Sequence, residues 1–141
     1  IEVPPEWVPL AIDEFPAIFI AAACAEGETV VRGAEELRVK ESDRIAAMAD
    51  GLGAIGFPVR ALADGMRIEG RGGQTSCFRG GTVDSVGDHR IAMAFAVAGL
   101  RTASPIRILD TINVDTSFPG FDALARGIGM GVERFEAPAG R

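Results

Sequence analysis

Three short clusters of charged side chains stand next to apolar helical patterns in this sequence of 141 residues. Helix N-termini carry unpaired amide donors and a partial positive charge, so they favour carboxylates and can hold anionic ligands. Arginine binds phosphate or carboxylate through two parallel hydrogen bonds, and carboxylates held among cations stay ionised and can move protons. If the clusters converge on one pocket, they favour proton transfer on a small, multiply anionic substrate. The clusters are Asp13-Glu14, Lys40-Glu41-Ser42-Asp43-Arg44 and Asp88-His89-Arg90.

Each cluster taken alone also has a purely structural explanation. Asp13, Asp88 and either Ser42 or Asp43 could be ordinary N-caps, and the neighbouring cations could be solvated surface charges. His89 has no Cys, His or carboxylate set at metal-ligand spacing around it, which is typical of a structural histidine. Convergence of the three clusters is the feature that would separate the catalytic interpretation from the structural one.

Composition limits the classes of partner and compartment. The 14 Lys and Arg against 20 Asp and Glu give a formal net charge of -6, which argues against nucleic acid and anionic membranes as partners. The apolar run at residues 15–25 is shorter than the roughly 20 residues that span a bilayer, so we interpret it as a buried helix. Cys24 and Cys77 are too few for a disulfide scaffold or a metal site, and we expect a cytoplasmic protein. The chain begins at Ile1 without Met or a targeting pattern, so we expect its natural N-terminus to be missing.

The sequence repeats in pattern, because an offset of 75 residues places Asp13 on Asp88 and Val31 on Ile106. The predicted fold class is therefore α/β, with two tandem units at about residues 10–70 and 82–135. The Gly-rich stretch at 71–81 is predicted to be a plain surface connection. Periodicity predicts helices at 13–25, 42–55, 88–100 and 118–128, and strands at 29–32, 58–62, 66–69, 106–109 and 132–135, the second and third strands forming a hairpin.

Four stretches carry a resemblance that periodicity cannot supply. The chain resembles the C-terminal portion of the 5-enolpyruvylshikimate-3-phosphate synthase (3-phosphoshikimate 1-carboxyvinyltransferase) family over about residues 10–135. The combination of RVKESDR with GDHRIAM in this order is highly specific. The resemblance implies two copies of a βαβαββ-type unit from the C-terminal lobe of the enolpyruvyl transferase fold. The stretches are DEFPAIFIAAACAEGET, ELRVKESDRIAAMADGL, VDSVGDHRIAMAFAVAGL and TSFPGF.

The resemblance also implies an activity and a set of site residues. The family transfers the enolpyruvyl group of phosphoenolpyruvate to the 5-hydroxyl of shikimate 3-phosphate, through a tetrahedral intermediate and without a metal or organic cofactor. Asp13 matches the residue that accepts the hydroxyl proton and contacts shikimate 3-phosphate, and Lys40 matches a lysine at the same site. Glu41 matches the residue that moves protons at the methylene carbon of phosphoenolpyruvate. Arg44 and Arg90 match arginines that grip phosphoenolpyruvate.

Two positions depart from the family pattern. Thr116 stands where many members have a lysine, and Glu36 stands where many have an asparagine near shikimate 3-phosphate; both are candidate substrate contacts. The resemblance further implies a missing N-terminal lobe of the same chain, so we expect the 141 residues alone to be inactive. The alternatives are UDP-N-acetylglucosamine enolpyruvyl transferase, which shares the fold, and a non-catalytic anion-binding lobe.

Overall fold

The computed structural model describes residues 1–136, which form a mixed α/β structure. Its three longer helices begin at a capping aspartate or beside a proline and are held by their apolar faces. Short 3₁₀ helices at Pro5–Trp7, Pro9–Glu14, Glu35–Val39 and Gly99–Arg101 connect them. In chain order the main elements are α1 (Phe15–Cys24), β1 (Glu26–Val31), α2 (Arg44–Ala54), β2 (Arg60–Leu62), β3 (Gly65–Arg71), β4 (Gly81–Asp84), α3 (His89–Ala98), β5 (Ile106–Leu109), α4 (Ile112–Ser117) and α5 (Phe121–Gly127).

The strands form two separate sheets. β1, β3 and β2 make an antiparallel sheet in that order, with Val31 opposite Met66 and Leu62 opposite Gly65. β4 and β5 form a parallel pair. A Cβ atom on Gly65 would lie 2.0 Å from the Val31 carbonyl oxygen, so the close approach of β3 to the end of β1 requires glycine. The predicted hairpin at β2 and β3 is confirmed.

The three longer helices share one core with the sheets. α1 packs against α3 and β3, and α2 packs against β4 and β2. Phe19, Leu52, Met66 and Phe95 are each fully buried, so apolar residues from both halves of the chain remove one another from water. This packing brings the N-terminal ends of α1, α2 and α3, and with them the charged clusters, into one region.

Two predictions about the second half are wrong. Residues 132–135 form no strand, because a strand needs a neighbouring ladder of backbone partners and the alternation V-E-R-F cannot supply one. The helix predicted at 118–128 begins only at Phe121, because Pro119 disfavours helix at the residue before it and Gly120 has a φ of 79°. The unpredicted helix α4 precedes this break.

The Gly-rich connection is also different from the prediction. Cys77 and Phe78 are 1% and 2% exposed, and Phe78 packs edge-on against Phe57 with ring centroids 5.6 Å apart, so the segment is anchored in the core. The strand β4, which follows it directly, was not predicted. The mixed α/β class is confirmed, whereas the exact repeat of two units stays a prediction.

Candidate active site at three helix N-termini

The N-terminal ends of α2 and α3 are capped by aspartates from the charged clusters. Asp43 Oδ1 accepts a hydrogen bond from the Ala46 amide at 3.0 Å, and Asp88 Oδ1 accepts one from the Arg90 amide at 2.9 Å. Asp13 instead lies in the 3₁₀ turn before α1 and caps no helix. The structural interpretation is therefore right for Asp43 and Asp88 and wrong for Asp13, whose carboxylate is used elsewhere.

Arg44, the first residue of α2, joins all three clusters. Its side chain is 1% exposed, and its Nε donates to Asp88 Oδ2 at 2.8 Å. Its Nη1 donates to Asp13 Oδ1 at 2.9 Å, and its Nη2 donates to Glu41 Oε2 at 2.5 Å. All three nitrogens of the guanidinium thus donate hydrogen bonds to carboxylates from different segments, which makes Arg44 the centre of an ion-pair cluster.

Asp88 is the buried counter-ion of this arginine. It is 0% exposed and also accepts a hydrogen bond from Ser42 Oγ at 2.8 Å. Burial by itself opposes ionisation, but the hydrogen bonds from Arg44 and Ser42 and the charge of Arg44 outweigh it, so the pKa of Asp88 lies below its ordinary value. Because both charges are desolvated together, each depends on the other for stability.

Asp13 is the exposed partner of the same guanidinium. Its side chain is 42% exposed. Partial burial raises its pKa less than the Arg44 hydrogen bond and the charges of Lys40 and Arg90 lower it, so the net shift is downward and Asp13 is ionised at neutral pH. An exposed, ionised carboxylate surrounded by cations can accept a proton from a bound substrate.

Lys40 and Arg90 lie at the rim of the cluster. Lys40 Nζ is 2.5 Å from Glu36 Oε1 and 3.6 Å from Asp13 Oδ1, and the Glu36 hydrogen bond is the main reason that the pKa of Lys40 is raised. Arg90 Nη1 donates to the Asp13 carbonyl oxygen at 2.9 Å and lies 3.6 Å from Glu14 Oε1. Both rim cations are therefore directed toward Asp13.

The structure brings together six of the seven site residues predicted from the sequence. Thr116 is the exception, because it is exposed on α4 and forms no hydrogen bond to the cluster within the part of the chain that is described. Sequence reasoning placed Asp88 only as a cap and did not predict that it pairs with Arg44. Its position equivalent to Asp13 at the offset of 75 residues was the available signal. The six are Asp13, Glu36, Lys40, Glu41, Arg44 and Arg90.

Within 1–136, no group of three or more His, Cys, Asp or Glu side chains could hold a metal ion. Over the same residues, no helix has the length and apolar character needed to cross a membrane.

An open groove of about 370 Å³ lies beside the cluster and is lined in part by Glu41, Ser42 and Asp50.

Comparison with known proteins gives the context for this cluster. A family model described as EPSP synthase (3-phosphoshikimate 1-carboxyvinyltransferase) matches residues 1–124. The 3-phosphoshikimate 1-carboxyvinyltransferase of Methylococcus capsulatus is 64% identical over 133 residues, which cover 94% of this chain and 29% of that protein. The protein of the same name from Halorhodospira halophila is 62% identical over the same length, with the same coverage.

Solved structures agree with the sequence comparisons. An EPSP synthase from Acinetobacter baumannii superposes with a TM-score of 0.90 at 58% identity, covering 92% of this chain and 30% of that one. The chain thus spans less than a third of the length of the relatives it matches. On the family match over 1–124 and the shared fold, the chain belongs to the EPSP synthase (3-phosphoshikimate 1-carboxyvinyltransferase) family.

Proposed function

We propose that this chain forms part of the active site of an enzyme that transfers the enolpyruvyl group of phosphoenolpyruvate to the 5-hydroxyl of shikimate 3-phosphate and releases phosphate. The observation that carries the proposal is the buried Arg44, whose guanidinium ties together carboxylates from three separate segments. An ordinary surface salt bridge joins two exposed side chains and contributes little to stability, so it does not explain why one buried arginine pairs with three carboxylates. The proposed reaction and substrates are those of the EPSP synthase family, and membership of that family supports them.

The rim of the cluster can exchange its own carboxylates for those of a substrate. Glu36 and Glu41 are 58% and 55% exposed, so their ion pairs with Lys40 and Arg44 are accessible to water. A phosphate or carboxylate that makes two parallel hydrogen bonds with arginine competes well against such pairs. We therefore assign anion binding to Lys40, Arg90 and the outer edge of Arg44, with Glu36 as the carboxylate that yields at Lys40.

The two exposed carboxylates have different proposed tasks. Asp13, ionised and beside Lys40, accepts the proton of the attacking 5-hydroxyl as that oxygen bonds to phosphoenolpyruvate. Glu41 gives a proton to the methylene carbon during addition and removes one during the elimination that expels phosphate. Displacing Glu41 from Arg44 Nη2, 2.5 Å away, would free its carboxylate to bind a proton from solvent, which Glu41 then gives to the methylene carbon during addition; the carboxylate left behind removes a proton during elimination.

The chain alone does not provide enough positive charge for two multiply anionic substrates. Around Arg44 the described residues place three cations, Lys40, Arg44 and Arg90, against five carboxylates: Asp13, Glu14, Glu36, Glu41 and Asp88. We propose that the remaining cations come from the N-terminal lobe that the relatives' greater length provides, and that Thr116 contacts phosphoenolpyruvate only when that lobe is in place. The isolated chain should therefore be inactive.

The cytoplasmic location expected from the sequence stays a prediction.

A chimera tests the proposal. This chain would replace the matching 133 residues of the Methylococcus capsulatus relative, and phosphate release would be measured with phosphoenolpyruvate and shikimate 3-phosphate. Turnover within about tenfold of the parent supports the proposal. A folded chimera that binds shikimate 3-phosphate without turnover would instead identify an anion-binding lobe.

Substitutions in the active chimera test the two carboxylates. Asp13→Asn and Glu41→Gln should each lower kcat by about 10²-fold or more, the usual contribution of a positioned acid or base, with substrate affinity nearly unchanged. The matched control is Glu28→Gln, which removes an exposed carboxylate that pairs with Arg67 at 2.9 Å on the antiparallel sheet. Activity of the Asp13 and Glu41 variants within a few-fold of this control would remove both residues from the mechanism.

A further inference from the structure

Arg38 links the segment that carries Lys40 and Glu41 to the β2–β3 hairpin. Its Nε donates to the Ala63 carbonyl oxygen at 2.7 Å, and its Nη2 donates to the Leu62 carbonyl oxygen at 2.6 Å. Its Nη1 donates to Asp43 Oδ2 at 2.7 Å. All three guanidinium nitrogens are therefore engaged in short hydrogen bonds from a charged donor, which are about twice as strong as neutral ones.

The three acceptors fix both ends of one short segment. Residues 40–43 lie between the 3₁₀ helix Glu35–Val39 and α2 and belong to neither element. Arg38 lies in the 3₁₀ helix, two residues before this segment. Asp43, whose side chain accepts a hydrogen bond from Arg38, is the last residue of the segment and caps α2 through the Ala46 amide. We call residues 40–43 the bridge. The bridge carries Lys40, Glu41 and Ser42 and is held in place at both ends.

The hairpin turn to which Arg38 is attached is itself held in place. Asp64 Oδ2 accepts a hydrogen bond from the Gly33 amide at 3.1 Å, and its Oδ1 accepts one from Arg32 at 3.1 Å. The Gly33 hydrogen bond is the main reason that the pKa of Asp64 is lowered. The turn therefore offers a fixed point against which Arg38 can locate the bridge.

We propose that Arg38 is a positioning residue for the reaction, which sets where Lys40 and Glu41 stand relative to Arg44 without touching a substrate. This inference rests on the proposed function. Lysine cannot replace it, because a single ammonium cannot reach two carbonyl oxygens and a carboxylate in the geometry of a planar fork. A displacement of about 1 Å of the reacting groups can lower the rate of the chemical step about a hundredfold.

The test uses the active chimera with Arg38→Ala and Arg38→Lys. Both variants should lower kcat about ten- to a hundredfold, a larger factor than any rise in KM that the displacement of Lys40 causes. Added methylguanidinium should restore part of the activity of Arg38→Ala, and methylammonium should not. The control is Arg67→Ala, which removes an arginine of β3 that donates two hydrogen bonds to Glu28, at 3.0 and 2.9 Å, and should keep wild-type kcat and show no rescue.

Each alternative outcome decides the question. Wild-type kcat in Arg38→Lys, or a loss in Arg38→Ala that methylguanidinium does not restore, overturns the proposal. If Arg38→Ala does not fold, Arg38→Lys alone carries the kinetic comparison. If the unsubstituted chimera shows no turnover, the proposed function has failed, and amide exchange then tests whether Arg38 holds the bridge. Arg38→Lys should speed exchange of the Ala46 amide, which donates to Asp43 Oδ1, at least about tenfold relative to Arg67→Lys, and unchanged exchange overturns the proposal.

Discussion

Replacing Asp88 with alanine tests whether the Arg44–Asp88 pair holds the site together. The two side chains are 1% and 0% exposed, so Asp88→Ala leaves a guanidinium in the interior without its nearest counter-ion. Breaking one partner of a buried pair costs about 3–5 kcal/mol. Because Arg44 keeps Asp13 and Glu41, which are 42% and 55% exposed, we expect the lower end of that range, about 3 kcal/mol.

The measurement is urea unfolding of the chain at neutral pH, followed by circular dichroism. With an m-value of about 2 kcal/mol per molar urea, a loss of about 3 kcal/mol moves the midpoint down by about 1.5 M. Asp88→Asn separates the charge from the cap, since asparagine caps helices as well as aspartate does. The control is Glu28→Ala, which removes an exposed partner of Arg67 and should cost at most about 1 kcal/mol.

A double-mutant cycle with Arg44→Met measures the pair itself. We expect a coupling energy of at least about 2 kcal/mol between positions 44 and 88, because the two side chains share no bulk solvent. A midpoint for Asp88→Ala equal to that of the Glu28 control, or a coupling energy near zero, would refute the claim that this ion pair organises the cluster.

Two further predictions concern stability. The pKa of Asp88 is lowered in the folded chain, so its contribution to the free energy of unfolding is fully present above the ordinary carboxyl pKa of 3.8 and is lost as the pH falls through the lower folded-state pKa. Acid unfolding monitored by circular dichroism should therefore depend less steeply on pH below 3.8 in Asp88→Asn than in the unsubstituted chain. An unchanged profile contradicts this. Gly51→Ala should destabilise the chain by about 1–3 kcal/mol, because its Cβ would lie 2.4 Å from Phe95 Cζ in the core. Gly53→Ala on the same helix meets nothing within 4 Å and should stabilise the chain by about 0.5–1 kcal/mol. Urea midpoints that move in the same direction for both variants would contradict the packing described.

Local patterns in the sequence were sufficient for much of the fold. The apolar runs predicted α1, α2 and α3 to within about two residues at most ends, because helical periodicity reflects one buried face. The Asp64-Gly65 turn predicted the hairpin of β2 and β3. Residues 132–135 were mispredicted as a strand, since pairing depends on a partner elsewhere in the chain that local alternation does not reveal.

The sequence by itself determined that three charged clusters lie at or just before the start of a helix, and to which family the chain belongs. It did not determine which charges are buried. Arg44 reaches Asp13 across 31 positions and Asp88 across 44, and such separations are closed only when α1, α2 and α3 pack around one core. Only the tertiary structure therefore decided that Arg44 and Asp88 form the interior of the cluster, whereas Asp13 and Glu41 remain exposed at its edge. It also decided that Arg38 joins the segment of residues 40–43 to the hairpin. The physical reason is that burial and ion pairing are set by contacts between distant segments, whereas helical and turn propensities are set by near neighbours.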